Sequence, residues 1–374
     1  MSIPSLGRLS FGQTAVWVVG FTAVSLGCIL GAHAAKPARG LRPDRGRIRV
    51  VEIPDPFGGA ARLKVLRTDA GTPLRAGAAW AWEQRPDEPP EYYAALRARG
   101  MNAVRIVAFD VWLHDKGWGE KVDWNNRDYR EHTLGKISRA VDHCAANGMY
   151  AIINYHGAVG AFDPDFARAF WSHVAPAFKD RSHVIFELQN EPLLGATKLG
   201  EPNADEIVML KKLRAIHDFV HGLAPDTHLM HLTPCGVSGW GIPDAMNRLT
   251  RFYSALPGSP IDWMNSSVAY HLYHTDQNLF PNAENLRTFH AEFPGWPSEN
   301  SFPPRFTTQQ LGAQDGDNER SSGFGKHEFT IETCERLGIG WSQWHIDGMK
   351  KLEANWKHIA TDAKSKRYVW KPDR

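Results

Sequence analysis

Very little in this chain of 374 residues favours one sign of charge: 43 basic side chains against 41 acidic leave a net +2. A balance this close to neutral generates no long-range field and gives nucleic acid no footing. Cysteine is scarce. The four residues, Cys28, Cys144, Cys235 and Cys334, stand far apart with no C-x-x-C pair. That spacing indicates neither a disulfide scaffold nor a zinc site. Long apolar runs are confined to one place. Between Arg8 and Lys36 there is no charged residue, and "TAVWVVGFTAVSLGCILGAHA" ends in Ala32-His33-Ala34. A basic start, an apolar centre and an A-x-A end describe a secretory signal peptide cut after Ala34. The run also approaches the ~20 residues of a spanning helix, so an uncleaved anchor is the alternative. The expected organisation is leader or anchor over 1–34, linker over 35–47 and one domain over 48–374. The protein is expected to be secreted or held in the periplasm or cell envelope, meeting a membrane only through an uncleaved anchor.

Aromatic residues are plentiful: 14 Trp, 9 Tyr and 18 Phe. Most aromatics pack cores, but a surplus also offers flat apolar platforms suited to the faces of sugar rings. From about Gly77 short apolar runs alternate with longer amphipathic ones. Strands are expected at 77–82, 102–109, 149–157, 183–192, 228–234, 266–274, 305–312 and 338–346. Helices are expected at 89–100, 127–148, 163–180 and 204–223, opened by Pro or closed by Gly at several ends. Strands that are apolar nearly throughout are covered on both faces, as parallel strands are. Eight such β-then-α units point to an α/β fold, a closed (β/α)8 TIM barrel. Ahead of it, two alternating runs around "PFGG" in 47–75 read as a short β-hairpin.

In this architecture chemistry sits at the C-terminal ends of strands. There the chain delivers Arg105, His156, Gln189-Asn190-Glu191-Pro192, His271 with Tyr273, Gln310 and Trp344. A polar group closing an apolar strand is costly to bury unless it is hydrogen-bonded or used. Arg105 alone reads as an ordinary ion pair, either histidine as a satisfied core residue, and Trp344 as packing. Glu191, after an apolar strand and before a proline, is the hardest to explain that way.

Asn190-Glu191-Pro192, taken in order with Arg105, His156-Gly157, His271-x-Tyr273 and Trp344, resembles glycoside hydrolase family 5, the cellulase- and mannanase-like enzymes of clan A. The resemblance spans roughly 75–350. It implies O-glycosyl hydrolysis of a β-linked glycan, with an oligo- or polysaccharide as partner and no cofactor or metal. Glu191 would be the acid/base and Asn190 would bond the sugar 2-hydroxyl. Arg105 would keep the nucleophile ionised. His156 and His271 would bind hydroxyls or tune the carboxylates, Tyr273 would bond the nucleophile, and Trp344 would floor the sugar. The family's nucleophilic glutamate closes strand 7. On the strand expected at 305–312 that slot holds Gln310, and an amide supplies no anion to attack with. Three readings follow. The chain is a catalytically inactive carbohydrate-binding barrel; or a loop carboxylate among Asp315, Asp317, Glu319 and Glu328 serves instead; or the register differs, with Glu328 or Asp347 as nucleophile.

Overall fold

The computed structural model describes residues 46–370, apart from 82–85, 110–125, 158–161, 193–200, 233–242, 273–282, 301–329, 344–347 and 358. Contacts divide the chain into Met1–Lys36 and Pro37–Arg374, and every described residue belongs to the second unit. Among the described residues no helix is long and apolar enough to cross a membrane.

The chain enters through an antiparallel hairpin, β1 (Arg49–Pro54) and β2 (Arg62–Arg67), in register from Arg49 opposite Arg67 to Pro54 opposite Arg62. Its turn starts at Asp55, whose carbonyl accepts from Gly58 N at 3.0 Å. Among the described residues eight parallel strands follow: β3 (Arg75–Trp80), β4 (Ala103–Phe109), β5 (Tyr150–His156), β6 (Val184–Glu187), β7 (His228–Leu232), β8 (Ser266–Leu272), β9 (Gly295–Asn300) and β10 (Trp341–Ser342). Each pairs with the next from β3 to β9, and β10 pairs with β3. The first parallel strand therefore has the last as its neighbour, which is the strand order of a ring with one seam, between β9 and β10. Short βα spacing explains the uniform direction, since each crossover helix returns the chain to the same end of the sheet.

The helices begin where side chains satisfy their free N–H groups. Asn126 caps α2 (Arg127–Ala146), and Asp163, followed by Pro164, caps α3 (Pro164–Phe178). Asn203 and Glu206 form a capping box on α4 (Ala204–Leu223). Among the described residues the remaining helices are α1 (Pro90–Ala98), α5 (Pro243–Ala255), α6 (Ala283–Glu292), α7 (Thr330–Leu337) and α8 (Met349–Trp356). Gly148, at φ +61°, lets the chain leave α2 and enter β5 two residues later. A short β11 (Ile359–Thr361) and β12 (Tyr368–Trp370) pair antiparallel near the end.

Alternation along the strands gives the sheet two apolar faces. Val104, Ile106, Ala151, Ile153 and Phe186 pack with helix residues such as Val141, Phe170 and Trp171. Ala103, Ile152, Ile185, Met230, Ala269 and Trp296 form a second cluster, joined by Ile48, Val50 and Leu66 of the hairpin. The hairpin thus covers the inner face at the N-terminal side of the strands.

One strand falls elsewhere than expected. The partner of β8 is 295–300, "GWPSEN", and not 305–312; the latter segment lies outside the described residues. The composition of 295–300 conceals a strand: Gly, Pro, Ser and Asn are poor strand formers, and Pro297 cannot donate to a ladder. Its backbone is accepted here beside an irregularity. Tyr270 pairs with Pro297 but His271 pairs with Glu299, so Ser298 is an extra residue on β9. At its start, a Cβ on Gly295 would come within 2.8 Å of Phe289 and 2.9 Å of Tyr270.

Candidate active site

The inner faces of β4, β5, β6, β8 and β9 turn polar toward their C-terminal ends, and the polar groups meet. Arg105 follows Ala103 by two residues on β4 and so shares its inward direction. Its guanidinium, with no exposed surface, donates from Nε to Glu187 Oε2 at 2.6 Å and from Nη2 to Glu187 Oε1 at 2.8 Å. Nη1 reaches Glu299 Oε1 at 2.5 Å, and Nη2 also donates to Asn190 Oδ1 at 3.0 Å.

Glu299 owes its direction to the bulge. With Trp296 facing inward, simple alternation would send Ser298 the same way and Glu299 to the helix side. The extra residue shifts that parity by one and brings Glu299 onto the inner face. Glu191 is delivered differently. The ladder of β6 stops at Glu187, and the chain continues through Leu188, whose N–H bonds Met230 O at 2.9 Å, and Asn190, whose N–H bonds Tyr155 O at 2.9 Å. Trp171 Nε1 donates to Leu188 O at 3.1 Å and pins the segment from the helix side. Glu191 then takes φ +22°, outside the extended backbone usual before a proline. Such a residue stores strain of about 1–3 kcal/mol.

His271 on β8 stands between the two carboxylates. Its Nδ1 lies 2.7 Å from Glu191 Oε1 and 3.4 Å from Glu299 Oε2. Donor atoms of Glu191, His271 and Glu299 all fall within 4.8 Å of one another. A second chain of contacts runs along β5: His156 Nδ1 lies 2.8 Å from Asn154 Oδ1, and Asn190 Nδ2 lies 3.4 Å from His156 Nε2. Because Asn190 Oδ1 accepts from Arg105, its amide nitrogen faces His156. His156 Nε2 is then the acceptor, and its Nδ1 carries the proton.

Burial separates the two carboxylates electrostatically. It pushes the Glu191 carboxyl from the ordinary 4.5 up to about 7, with Arg105 only partly opposing. Glu299 instead touches Arg105 directly. Burial acts against the Arg105 cation too, but Glu187 and Glu299 outweigh it and hold the guanidinium charged more firmly than usual. Burial lowers His271 to about 4, Glu299 and Glu187 resisting and Arg105 assisting. It lowers His156 well below the ordinary imidazole range, with Arg105 and His271 adding to it. At neutral pH both imidazoles are neutral, Glu191 is poised between its two forms, and Arg105 supplies the positive charge. Glu191, His271 and Glu299 are also a geometrically adequate donor set for a cation. Arg105 already fills that electrostatic role at Glu299, so a divalent ion there would be repelled.

Of the residues singled out from sequence, the structure brings together Arg105, His156, Asn190, Glu191 and His271. Tyr273, Gln310, Trp344, Asp315, Asp317, Glu319, Glu328 and Asp347 lie outside the described residues. Three members of the cluster are not marked by the sequence pattern: Asn154, Glu187 and Glu299. Loop length was the signal that could have found Glu299. Connections between helix and strand in such units are short. β9 starts at Gly295 just after α6 ends at Glu292, whereas a strand at 305 leaves a far longer gap.

These features define a parallel α/β protein with two buried carboxylates converging on one arginine at the strand ends. The model of one family, Cellulase (glycosyl hydrolase family 5), matches residues 67–347. The chain belongs to glycosyl hydrolase family 5. Endoglucanase A of Clostridium longisporum is 34% identical over 107 residues, which are 26% of this chain and 20% of that protein. Endoglucanase E-5 of Thermobifida fusca is 22% identical over 250 residues, 64% of this chain and 45% of that protein. The chain thus spans less than half the length of either relative. A solved structure from Cytophaga hutchinsonii superposes with a TM-score of 0.51 at 15% identity, covering 88% of each chain, and shares the fold.

Proposed function

We propose that the chain is a retaining β-glycanase, a closed (β/α)8 enzyme in which Glu299 is the nucleophile and Glu191 the acid/base. The observation that carries this reading is the pair itself: carboxylate oxygens within 4.8 Å of one another, one group raised by burial and the other against a cation. Retaining glycosidases hold their two carboxyls about 5–5.5 Å apart, while inverting ones leave room for a water between them. Glu299 attacks the anomeric carbon as Glu191 gives its proton to the departing glycosidic oxygen. Glu191, now ionised, takes a proton from water, whose oxygen displaces Glu299 and restores both groups. Asn190 bonds the 2-hydroxyl through its amide nitrogen. Neutral His271 keeps the carboxylates apart, and His156 orients Asn190. Tyr273 and Trp344 keep the roles of nucleophile partner and sugar floor that the resemblance implies.

On this reading Gln310 is not the nucleophile slot, and the ground for an inactive sugar-binding barrel disappears. The relatives named endoglucanases support a β-linked glucan as the first substrate to try. Export through cleavage after Ala34 is part of the same proposal.

The deciding experiment is turnover of aryl β-glycosides and soluble β-glucans and mannans by the native chain, Glu299→Gln, Glu191→Gln and Gln310→Glu. The expected result is native hydrolysis with retention at the anomeric carbon by proton NMR. Loss on Glu299→Gln should be roughly 10⁴-fold or more, and on Glu191→Gln about 10²–10⁴-fold. Because Glu191 must be protonated to act as acid, native kcat/KM should fall as pH rises through about 7. Activity surviving Glu299→Gln, or appearing only in Gln310→Glu, sinks the assignment.

A further inference from the structure

Arg105 is held by two carboxylates, yet one would neutralise it. Glu299 faces the site; Glu187 has no exposed surface at all. A second buried carboxylate adds a desolvation cost that a single ion pair would avoid. What Glu187 adds is direction. It accepts from Nε and from Nη2 together, the two-point fork that matches the planar guanidinium. Since that group is rigid, fixing those two nitrogens also fixes where Nη1 points. Nη1 meets Glu299 Oε1, and the free edge of Nη2 meets Asn190 Oδ1. Glu187 is itself firmly seated. It closes β6 with ladders on both sides, paired with Asn154 on β5 and with Met230 on β7.

We propose that Glu187 is a positioning residue: by gripping one edge of Arg105 it aims the other at Glu299 and fixes which way the Asn190 amide faces. The structural part stands on geometry alone; its kinetic consequence rests on Glu299 being the nucleophile. Glutamine at 187 offers one acceptor and one donor to two N–H donors, so the fork breaks and the guanidinium tips. Glu299 then loses its aligned cation, and its proton becomes harder to remove. The titratable and charged groups facing Arg105 among the described residues are Glu187 and Glu191 from β6 and its extension, Glu299 from β9, His156 from β5 and His271 from β8.

The test is a carbon-13 carboxyl titration of glutamate-labelled full chain, with the Glu299 signal assigned by its loss in Glu299→Gln. Folded Glu187→Gln is expected to move the Glu299 titration up by about one unit or more. It should lower kcat about 100-fold, as misplacement of a reacting group by an ångström does. The acid limb of kcat/KM should shift to higher pH, with KM changed far less. Glu187→Asp keeps the charge and sets the fork back by one methylene, so it should recover part of both effects. If Glu187→Gln unfolds, Glu187→Asp carries the test through a smaller upward shift. A folded variant with Glu299 titrating as in the native chain or lower, and only a reduced melting temperature, overturns the proposal. Turnover that survives Glu299→Gln would instead remove the catalytic reading and leave the titration to decide Glu187.

Discussion

The same strands behave differently at their two ends. Toward their N-terminal ends the inner face holds Ala103, Ile152, Ile185, Met230, Ala269 and Trp296, sealed by the hairpin. Toward their C-terminal ends it holds Arg105, Asn154, His156, Glu187, His271 and Glu299. Both layers are buried, but their energetics are opposed. The apolar layer gains roughly 25 cal/mol for each Å² removed from water. The polar layer starts from a desolvation debt and recovers it only through charge-assisted hydrogen bonds of near-ideal geometry. One layer stabilises the fold, and the other keeps groups in states that water would not allow, such as a carboxyl with a pKa of about 7 beside neutral histidines.

This contrast can be broken from either side. The largest effect should come from Arg105→Ala, which leaves Glu187 and Glu299 buried without their cation. The expected cost is about 3–5 kcal/mol at pH 7. It should shrink toward pH 4 as the orphaned carboxylates take up protons, which urea unfolding at the two pH values would reveal. Next is Ile185→Ala, one residue pair below Glu187 on the inner face. It should cost about 2–5 kcal/mol in the same assay, equally at both pH values, because it removes contacts and no charge. A pH-dependent loss there would mean that the two layers are coupled.

Glu191→Gln should work in the opposite sense. The folded carboxyl binds its proton more tightly than the unfolded one, near 7 against the ordinary 4.5. Native stability from this group is therefore intact below pH 4.5 and is lost as pH rises to about 7. At about 1.4 kcal/mol per unit this amounts to about 3 kcal/mol. The glutamine variant should thus melt higher than the native chain at pH 8 and close to it at pH 4.5, while losing activity. Equal melting temperatures at pH 8 would show that Glu191 is better solvated than its burial implies.

The apolar layer was the more legible of the two. Runs such as "AVRIVAF" and "YAIINYH" are continuous because both faces are covered, and short range alone marks them as strands of a parallel sheet. The helix starts expected at 127 and 204 fall one residue after Asn126 and Asn203, which cap those helices. More than half of the polar layer was legible as well: Arg105 interrupts an apolar run, and His156, Asn190, Glu191 and His271 stand at or just past the ends of others. Glu187 hid inside "VIFE", where it looks like one polar residue in a strand and its arginine partner is 82 positions away. Glu299 hid in a segment that has the composition of a turn.

By itself, then, the chain determined the alternation of strands and helices, the caps that start the helices, and an acidic group after β6, all set by neighbours within a few residues. Only the tertiary structure decided which carboxylate opposes Glu191. That choice required Gly295 to fit against Phe289 and Tyr270, Pro297 to be tolerated beside a bulge, and the bulge to reverse the parity that would have turned Glu299 away. A strand of poor formers is held by its neighbours in the sheet, and the direction of its side chains is set by register with β8, a property no local stretch of sequence contains.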